Sequence, residues 1–321
     1  MRGEIAMSKL LLNAQIINEN ARFKGHLLIR NERIEKIIPA TEDYTALVSD
    51  TTEIIDLSGY VVLPGVIDTH VHFREPGLTH KGSIFSESRA AVSGGVTSIL
   101  DMPNTQPPTL SEVLLNEKCA IAKKDAWTNY GFFMGVSADN LDEVLRMDAR
   151  TFCGIKLFMG SSTGGMLVDD DAVLHRLFAE ARVPVVVHAE DELRIQANMA
   201  GIKAKYGDYP PFSVHPVIRD VEACYTSTKK AVELAQRYNT RLHVAHISTA
   251  KELELFSTAP LSEKRITSEV CVSHLWFTTG DYGRLGAKIK CNPAIKTIDN
   301  RKALRNAVIT GLIDTIATDH A

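Results

Sequence analysis

Eight short, almost continuously apolar runs alternate with segments whose apolar residues recur every three or four positions. Together they predict an α/β protein of the (β/α)8 (TIM) barrel class, preceded by a small β-sandwich-like layer. Strands covered by helices on both faces read as unbroken apolar text, and eight is the number that closes a barrel. An open doubly wound sheet would carry a Gly-rich phosphate loop, and neither G-x-G-x-x-G nor G-x-x-x-x-G-K-[ST] follows any of the runs.

From about residue 8 to 60 the runs LLLNAQII, GHLLIR, RIEKIIP and EIIDLSG are separated by Asn, Gly and Glu clusters, which predicts a small β domain over 1–60. The barrel is expected over 61–321. Its strands are VVLPGVIDTHV, GVTSILDM, YGFFMGV, CGIKLFM, VPVVVHA, RLHVAHI, RITSEVCV and DTIATD. Between them SIFSESRAAVSG, LSEVLLNEKCAIAKK, DDDAVLHRLFAEAR, VEACYTSTKKAVELAQRY and DNRKALRNAVITG have helical spacing. The three aspartates that open DDDAVLHRLF suit an N-cap and the positive end of a helix dipole. The eighth run ends at Asp319, two residues before the sequence stops, with no helix to cover it. The expectation is therefore a barrel whose C-terminal part is missing, along with strands that would complete the 1–60 domain.

Composition narrows the function classes. With 36 basic and 39 acidic side chains among 321 residues and a net charge of −3, no basic field invites nucleic acid. No apolar run approaches the ~20 residues of a membrane span, and the first residues do not read as a secretory signal. A hydrophobic fraction of 45% with only 12 prolines excludes disordered and collagen-like chains. The five cysteines form no C-x-x-C pair, which points to a reduced, cytoplasmic protein.

The chemistry gathers at strand ends. In VIDTHVHFREPG, His70 and His72 are two apart on a strand and share a face, a natural metal clamp. Lys156 lies inside the apolar run CGIKLFM, where a buried ammonium needs a partner or must lose its charge. His188 ends VVVHAED, His246 ends LHVAHIS and Asp319 ends IATDH. A neutral lysine amine reacts with CO2 to give an anionic carbamate, whose two oxygens suit a pair of cations. Imidazole with hard oxygen ligands favours zinc over manganese or cobalt. The C-terminal face of a barrel is where its chemistry sits.

This pattern resembles the amidohydrolase superfamily, and within it the dihydroorotases of the long-chain type. The matching text runs from DLSGYVVLPGVIDTHVHFREPG through GGVTSILDMPNTQPPT, GIKLFMG, HAEDE, HVAHIST and KCNPAIK to IATDHA. The resemblance implies two Zn2+ per chain, with His70, His72 and Asp319 on one, His188 and His246 on the other, and carbamylated Lys156 bridging them. It also implies that Arg74 and Asn104 hold a substrate carboxylate and that Asn292 contacts the pyrimidine ring. Arginine offers a two-pronged fork to a carboxylate, and an amide can pair with a ureide. The chain departs from the family pattern where CVSHLWF replaces T-P-H-H-L and NPAIK replaces N-P-P-L-R; neither change removes a ligand.

The activity so implied is the reversible cyclisation of N-carbamoyl-L-aspartate to L-dihydroorotate, in de novo pyrimidine biosynthesis. Asp319 would serve as general base and then general acid, and the Gly-rich GSSTGGM as a mobile loop over the site. The expected partner is the small-molecule substrate, with no nucleic acid and no membrane, and a homodimer is compatible with this reading. Two alternatives remain: another cyclic amidase (an allantoinase or hydantoinase), or a non-catalytic dihydroorotase-like scaffold subunit. FREPG and MPNT favour a carboxylate substrate, and the complete ligand set disfavours a scaffold. His26, His80, His175, His215 and His274 are read as structural. So is His243, because three residues separate it from His246 and strand alternation sets the two on opposite faces. His320 is read as an orienting neighbour of Asp319.

Overall fold

The computed structural model describes residues 8–160 and 165–321, and in it the β-branched runs at the start of the chain form strands. These are β1 (Ser8–Asn18), β2 (Ala21–Arg30), β3 (Arg33–Pro39), β4 (Thr52–Asp56) and β5 (Val61–Val62). They make one sheet in the order β3–β2–β1–β4, with β5 beside the far half of β1. The apolar face of β1 and β2 is buried at Leu10, Ala14, Ile16, Leu27 and Leu28. A bulge at Asn13, whose φ is 59°, lets its N–H donate to His26 Nδ1 at 3.0 Å. The chain divides into two units, Met1–Val66 and Ile67–Ala321.

The second unit runs β6 (Val66–Val71), α1 (Ile84–Ser93), β7 (Val96–Asp101), α2 (Glu112–Asp125), β8 (Asn129–Phe132), β9 (Met134–Gly135), α3 (Leu141–Arg146), β10 (Ile155–Phe158) and α4 (Asp171–Glu180). It continues through β11 (Val185–His188), α5 (Glu192–Tyr206), α6 (His215–Ile218), α7 (Val221–Tyr238), β12 (Leu242–Val244), β13 (Ile266–Cys271), α8 (Val272–Trp276), α9 (Tyr282–Leu285), α10 (Ile298–Ile309) and β14 (Thr315–Ala317). One ladder is β6–β7–β8 and the other is β9–β10–β11–β12–β13–β14. Only Phe133 separates β8 from β9, so they are one interrupted strand. The ring closes where Val71 bridges His320 in parallel and the His72 N–H donates to the His320 carbonyl at 2.7 Å. The result is the expected eight-stranded α/β barrel.

Packing explains the text. All four residues of β10 and of β11 are buried, as a strand sandwiched between barrel interior and helices must be. Helix α7 buries Cys224, Ser227, Thr228, Ala231, Val232 and Ala235, a three-and-four stripe against the strands. The helices α1, α2, α4, α5 and α7 begin on the caps Ser83, Ser111, Asp170, Asp191 and Asp220, each accepting a backbone N–H from the first turn.

Two details depart from the sequence reading. VVLPGVIDTHV is two strands, because Pro64 and Gly65 interrupt it and proline has no N–H for a ladder. Helix α5 is not among the helical segments named above; its apolar stripe is only Ile195, Met199 and Ile202, one residue per turn, with Ile195 alone fully buried. The loop reading of GSSTGGM rests mainly on residues 161–164, outside the described residues. Among the described residues no helix is long and apolar enough to cross a membrane.

A buried ion pair fixes the rim near the first strand. Lys118 on α2 meets Asp101 at the end of β7 at 2.7 Å, both wholly buried, and also donates to the Met102 carbonyl at 2.8 Å. Asp101 in turn accepts the Phe73 N–H at 2.9 Å. Removing one member leaves a buried charge alone, so Lys118→Met is expected to lower the unfolding free energy by about 3–5 kcal/mol. A shift below about 1 kcal/mol in urea titration would refute this.

Candidate active site

The strand ends deliver the expected side chains to one place. His70 lies in β6 and His72 just beyond it, Lys156 lies in β10, and His188 ends β11. His246 and Asp319 each follow their strand by two residues. All six, with Arg74, Asn104 and Asn292, line a single cavity of about 880 Å3. Arg74, His246 and Asp319 have φ values of 67°, 41° and 52°, in the left-handed region that side chains other than glycine, Asn and Asp avoid. Such strain persists only where surrounding contacts enforce it.

At Asp319 the enforcing contacts are hydrogen bonds. The buried Asp68 carboxylate accepts the His70 N–H and the Thr318 N–H, each at 3.2 Å, and the Thr318 hydroxyl at 2.6 Å. The Asp319 N–H donates to the His70 carbonyl at 2.9 Å. First and last strands are thus clamped beside the residues of interest.

The donors converge. Asp319 Oδ1 lies 3.2 Å from His70 Nε2 and 3.0 Å from His72 Nε2. Ring nitrogens of His70 and His246 and an Asp319 oxygen all lie within 4.8 Å of one another. His188 Nδ1 faces His246 Nε2 at 2.9 Å. Each outer ring nitrogen of three histidines has its own partner: His70 Nδ1 meets Glu269 at 2.8 Å, His72 Nδ1 meets the Asn104 oxygen at 2.6 Å, and His188 Nε2 meets Glu190 at 2.9 Å. With the proton donated to these outer acceptors, the opposite nitrogen of each ring would offer its lone pair to a cation; for His70 and His72 that nitrogen is the Nε2 beside Asp319.

Electrostatics agree. Burial pushes the Lys156 ammonium down to about 8. Burial, then the adjacent His188, holds the His246 ring well below the usual imidazole range. Burial alone would raise the Asp319 carboxyl, but His70 and His72 outweigh it and hold it well below the usual carboxylate range. Lys156 Nζ and His246 Nδ1 are buried and have no hydrogen-bond partner among the described residues. Orphaned buried polar atoms are rare, and two of them beside converging imidazoles and a carboxylate fit a site for cations.

Some assignments change. His243 does not face away from the site. Its Nε2 lies 3.5 Å from Glu269 and its Nδ1 2.9 Å from Thr267. Strand alternation fails because β12 ends at Val244 and the left-handed backbone of His246 turns that side chain back. The His320 ring does not orient Asp319; it pairs with Glu87 at 2.6 Å, drawn by the carboxylate. Asn104 gives its oxygen to His72 and keeps its NH2 for a ligand. The other histidines read as structural have local partners where the structure gives one: His215 with the Cys291 carbonyl, His274 with the Pro293 carbonyl and His175 with the Tyr238 hydroxyl.

Sequence reasoning missed Asp68, Glu190, Arg219 and Glu269. Glu269 is a carboxylate inside the apolar run SEVCV, the same signal that singled out Lys156, yet its partner His70 lies 199 residues away.

The family model described as "Amidohydrolase family" matches residues 61–321. A dihydroorotase from Methanosarcina acetivorans is 32% identical over 96% of this chain and 66% of its own length. An allantoinase from Desulfitobacterium hafniense is 31% identical over 97% of the chain and 69% of its own length. The solved L-hydantoinase (dihydropyrimidinase) from Arthrobacter aurescens superposes with a TM-score of 0.89 at 28% identity, covering 97% of this chain and 69% of that one. A Halobacterium salinarum dihydroorotase, 35% identical over 82% of the chain, is covered over 60% of its length. The chain thus spans about two thirds or less of the length of these dihydroorotases.

Replacing Thr318 by valine removes a donor from the Asp68 carboxylate, and Thr318→Val is expected to lose about 1–3 kcal/mol of stability. An unchanged denaturation midpoint would show that the clamp contributes nothing.

Proposed function

The chain belongs to the amidohydrolase family, and on that premise we propose that it is a metal-dependent cyclic amide hydrolase working as a dihydroorotase, interconverting L-dihydroorotate and N-carbamoyl-L-aspartate in pyrimidine biosynthesis. The observation that carries this reading is the convergence of six strand-end donors at a cavity that Arg74 also lines. His70, His72 and Asp319 would hold one zinc ion, His188 and His246 a second, with Lys156 as a carbamate between them. When bound, such cations supply Lewis acidity to the scissile amide and to water.

The side chains account for the rest. With its ammonium pushed down to about 8, Lys156 has an appreciable neutral fraction near neutral pH, the form that adds CO2 and releases a proton. Asp319, ionised at neutral pH, accepts a proton from the attacking water and returns it to the departing ring nitrogen. Arg74 Nε is buried without a partner, and the guanidinium faces the cavity where a substrate carboxylate would complete it. The Asn104 NH2 and Asn292 amide offer further polar contacts on the same wall. A cytoplasmic setting suits the five free cysteines.

An allantoinase or hydantoinase is the second reading, favoured by the relatives of those names. Their ureide rings need the same hydrolytic centre, but allantoin and simple hydantoins carry no carboxylate for Arg74. A scaffold reading would leave the complete donor set without a purpose. Steady-state assays of zinc-loaded protein with dihydroorotate, allantoin and hydantoin separate the readings. Preference for either neutral ring would overturn the dihydroorotase assignment, and inactivity with all three in protein holding no zinc would favour the scaffold.

Asp319→Ala is expected to lose at least about 10²–10⁴-fold in turnover while keeping the wild-type circular dichroism, since a positioned acid–base group is worth that much. Near-normal turnover would remove Asp319 from the reaction. Arg74→Lys keeps the charge but loses the fork, and KM for dihydroorotate should rise roughly 10–100-fold. Unchanged KM would remove the argument for a carboxylate.

A further inference from the structure

Two of the histidines at the cavity depend on carboxylates of unequal surroundings. Glu269 meets His70 Nδ1 at 2.8 Å and is otherwise held by neutral or titratable groups: the Thr69 hydroxyl at 3.1 Å, the His246 N–H at 3.4 Å and His243 at 3.5 Å. Glu190, wholly buried, places one oxygen, Oε2, against both His188 Nε2 and the Arg219 guanidinium, while its second oxygen, Oε1, has no partner. Arg219 is itself held between α6 and α7, where its N–H donates to the His215 carbonyl at 2.9 Å.

The His188 ring could present either nitrogen to the cavity. It is Glu190 that decides: with Nε2–H donated outward, Nδ1 faces His246 Nε2 at 2.9 Å. We infer that Glu190, anchored by Arg219, is a positioning residue that fixes the His188 tautomer and so sets the affinity of one cation position independently of the other, which Glu269 serves through His70. This rests on the two-cation reading above. Because Arg219 already satisfies part of the charge on Glu190 and, among the described residues, no arginine or lysine bonds to Glu269, His188 receives the weaker polarisation of the two. The position that His188 shares with His246 is therefore the one that empties first.

Two measurements on the full chain test this. The first is nitrogen NMR of the histidine rings in metal-free protein. The wild type should show His188 protonated on Nε2, and Glu190→Gln, which has no fixed charge, should shift His188 towards a mixture of tautomers. The second is zinc binding measured against a competing chelator. The wild type should bind two ions with distinct affinities. Glu190→Gln should weaken the weaker one by about 10–100-fold and leave the tighter one alone, whereas Glu269→Gln should weaken the tighter one. Glu190→Asp, with the charge kept and the oxygen withdrawn by one methylene, should fall between. It carries the test if Glu190→Gln does not fold. An unchanged His188 tautomer, or equal weakening of both ions by Glu190→Gln, overturns the inference. Wild-type protein that binds no zinc refutes the two-cation reading instead, and the tautomer measurement still judges Glu190.

Discussion

The Asp68 carboxylate is the joint on which the barrel depends. The last strand, β14, is only three residues long, too short for a ladder of backbone hydrogen bonds to hold it firmly against the first. Asp68 supplies what the ladder lacks by taking two backbone N–H groups and a hydroxyl from the two strands at once. The joined segments carry His70, His72 and Asp319, so closing the ring and assembling half of the donor cluster are one event. The contact is buried, where hydrogen bonds to an ionised acceptor are strong and an unmade one is expensive.

Buried charge elsewhere follows the same discipline. Lys118 has Asp101, Arg219 has Glu190, and Glu252 takes the Thr228 and Thr249 hydroxyls. At the cavity, Lys156 Nζ, His246 Nδ1 and Arg74 Nε have no hydrogen-bond partner among the described residues, as is also true of a few buried atoms elsewhere, such as Thr128 Oγ1 and Tyr282 Oη. A protein interior tolerates few such atoms. The three at the cavity stand beside the strand-end imidazoles and Asp319, where a bound group would complete them.

Much of this was legible in the sequence because the relevant signals are local. Unbroken apolar runs such as VPVVVHA gave strands, and H-x-H or a lysine inside CGIKLFM gave donors. What was hidden depends on contacts across the fold. Glu269 and His70, or Asp68 and Thr318, meet over 199 and 250 residues, and no spacing rule reaches so far. The misplacement of His243 has a different origin. Alternation is a property of strands, and it lapses at His246, where the backbone leaves the strand in a left-handed turn. Helix α5 is a third case: its apolar stripe is thin, one residue per turn at Ile195, Met199 and Ile202 among polar neighbours.

The left-handed backbone at Arg74 and His246 has a consequence for how such a site changes over generations. At most positions glycine loosens a chain, but at these two it would relieve strain. Drift that rewarded stability alone would therefore erode the site at its most useful residues. Side chains at these two positions therefore forgo that relief in exchange for what they place at the cavity.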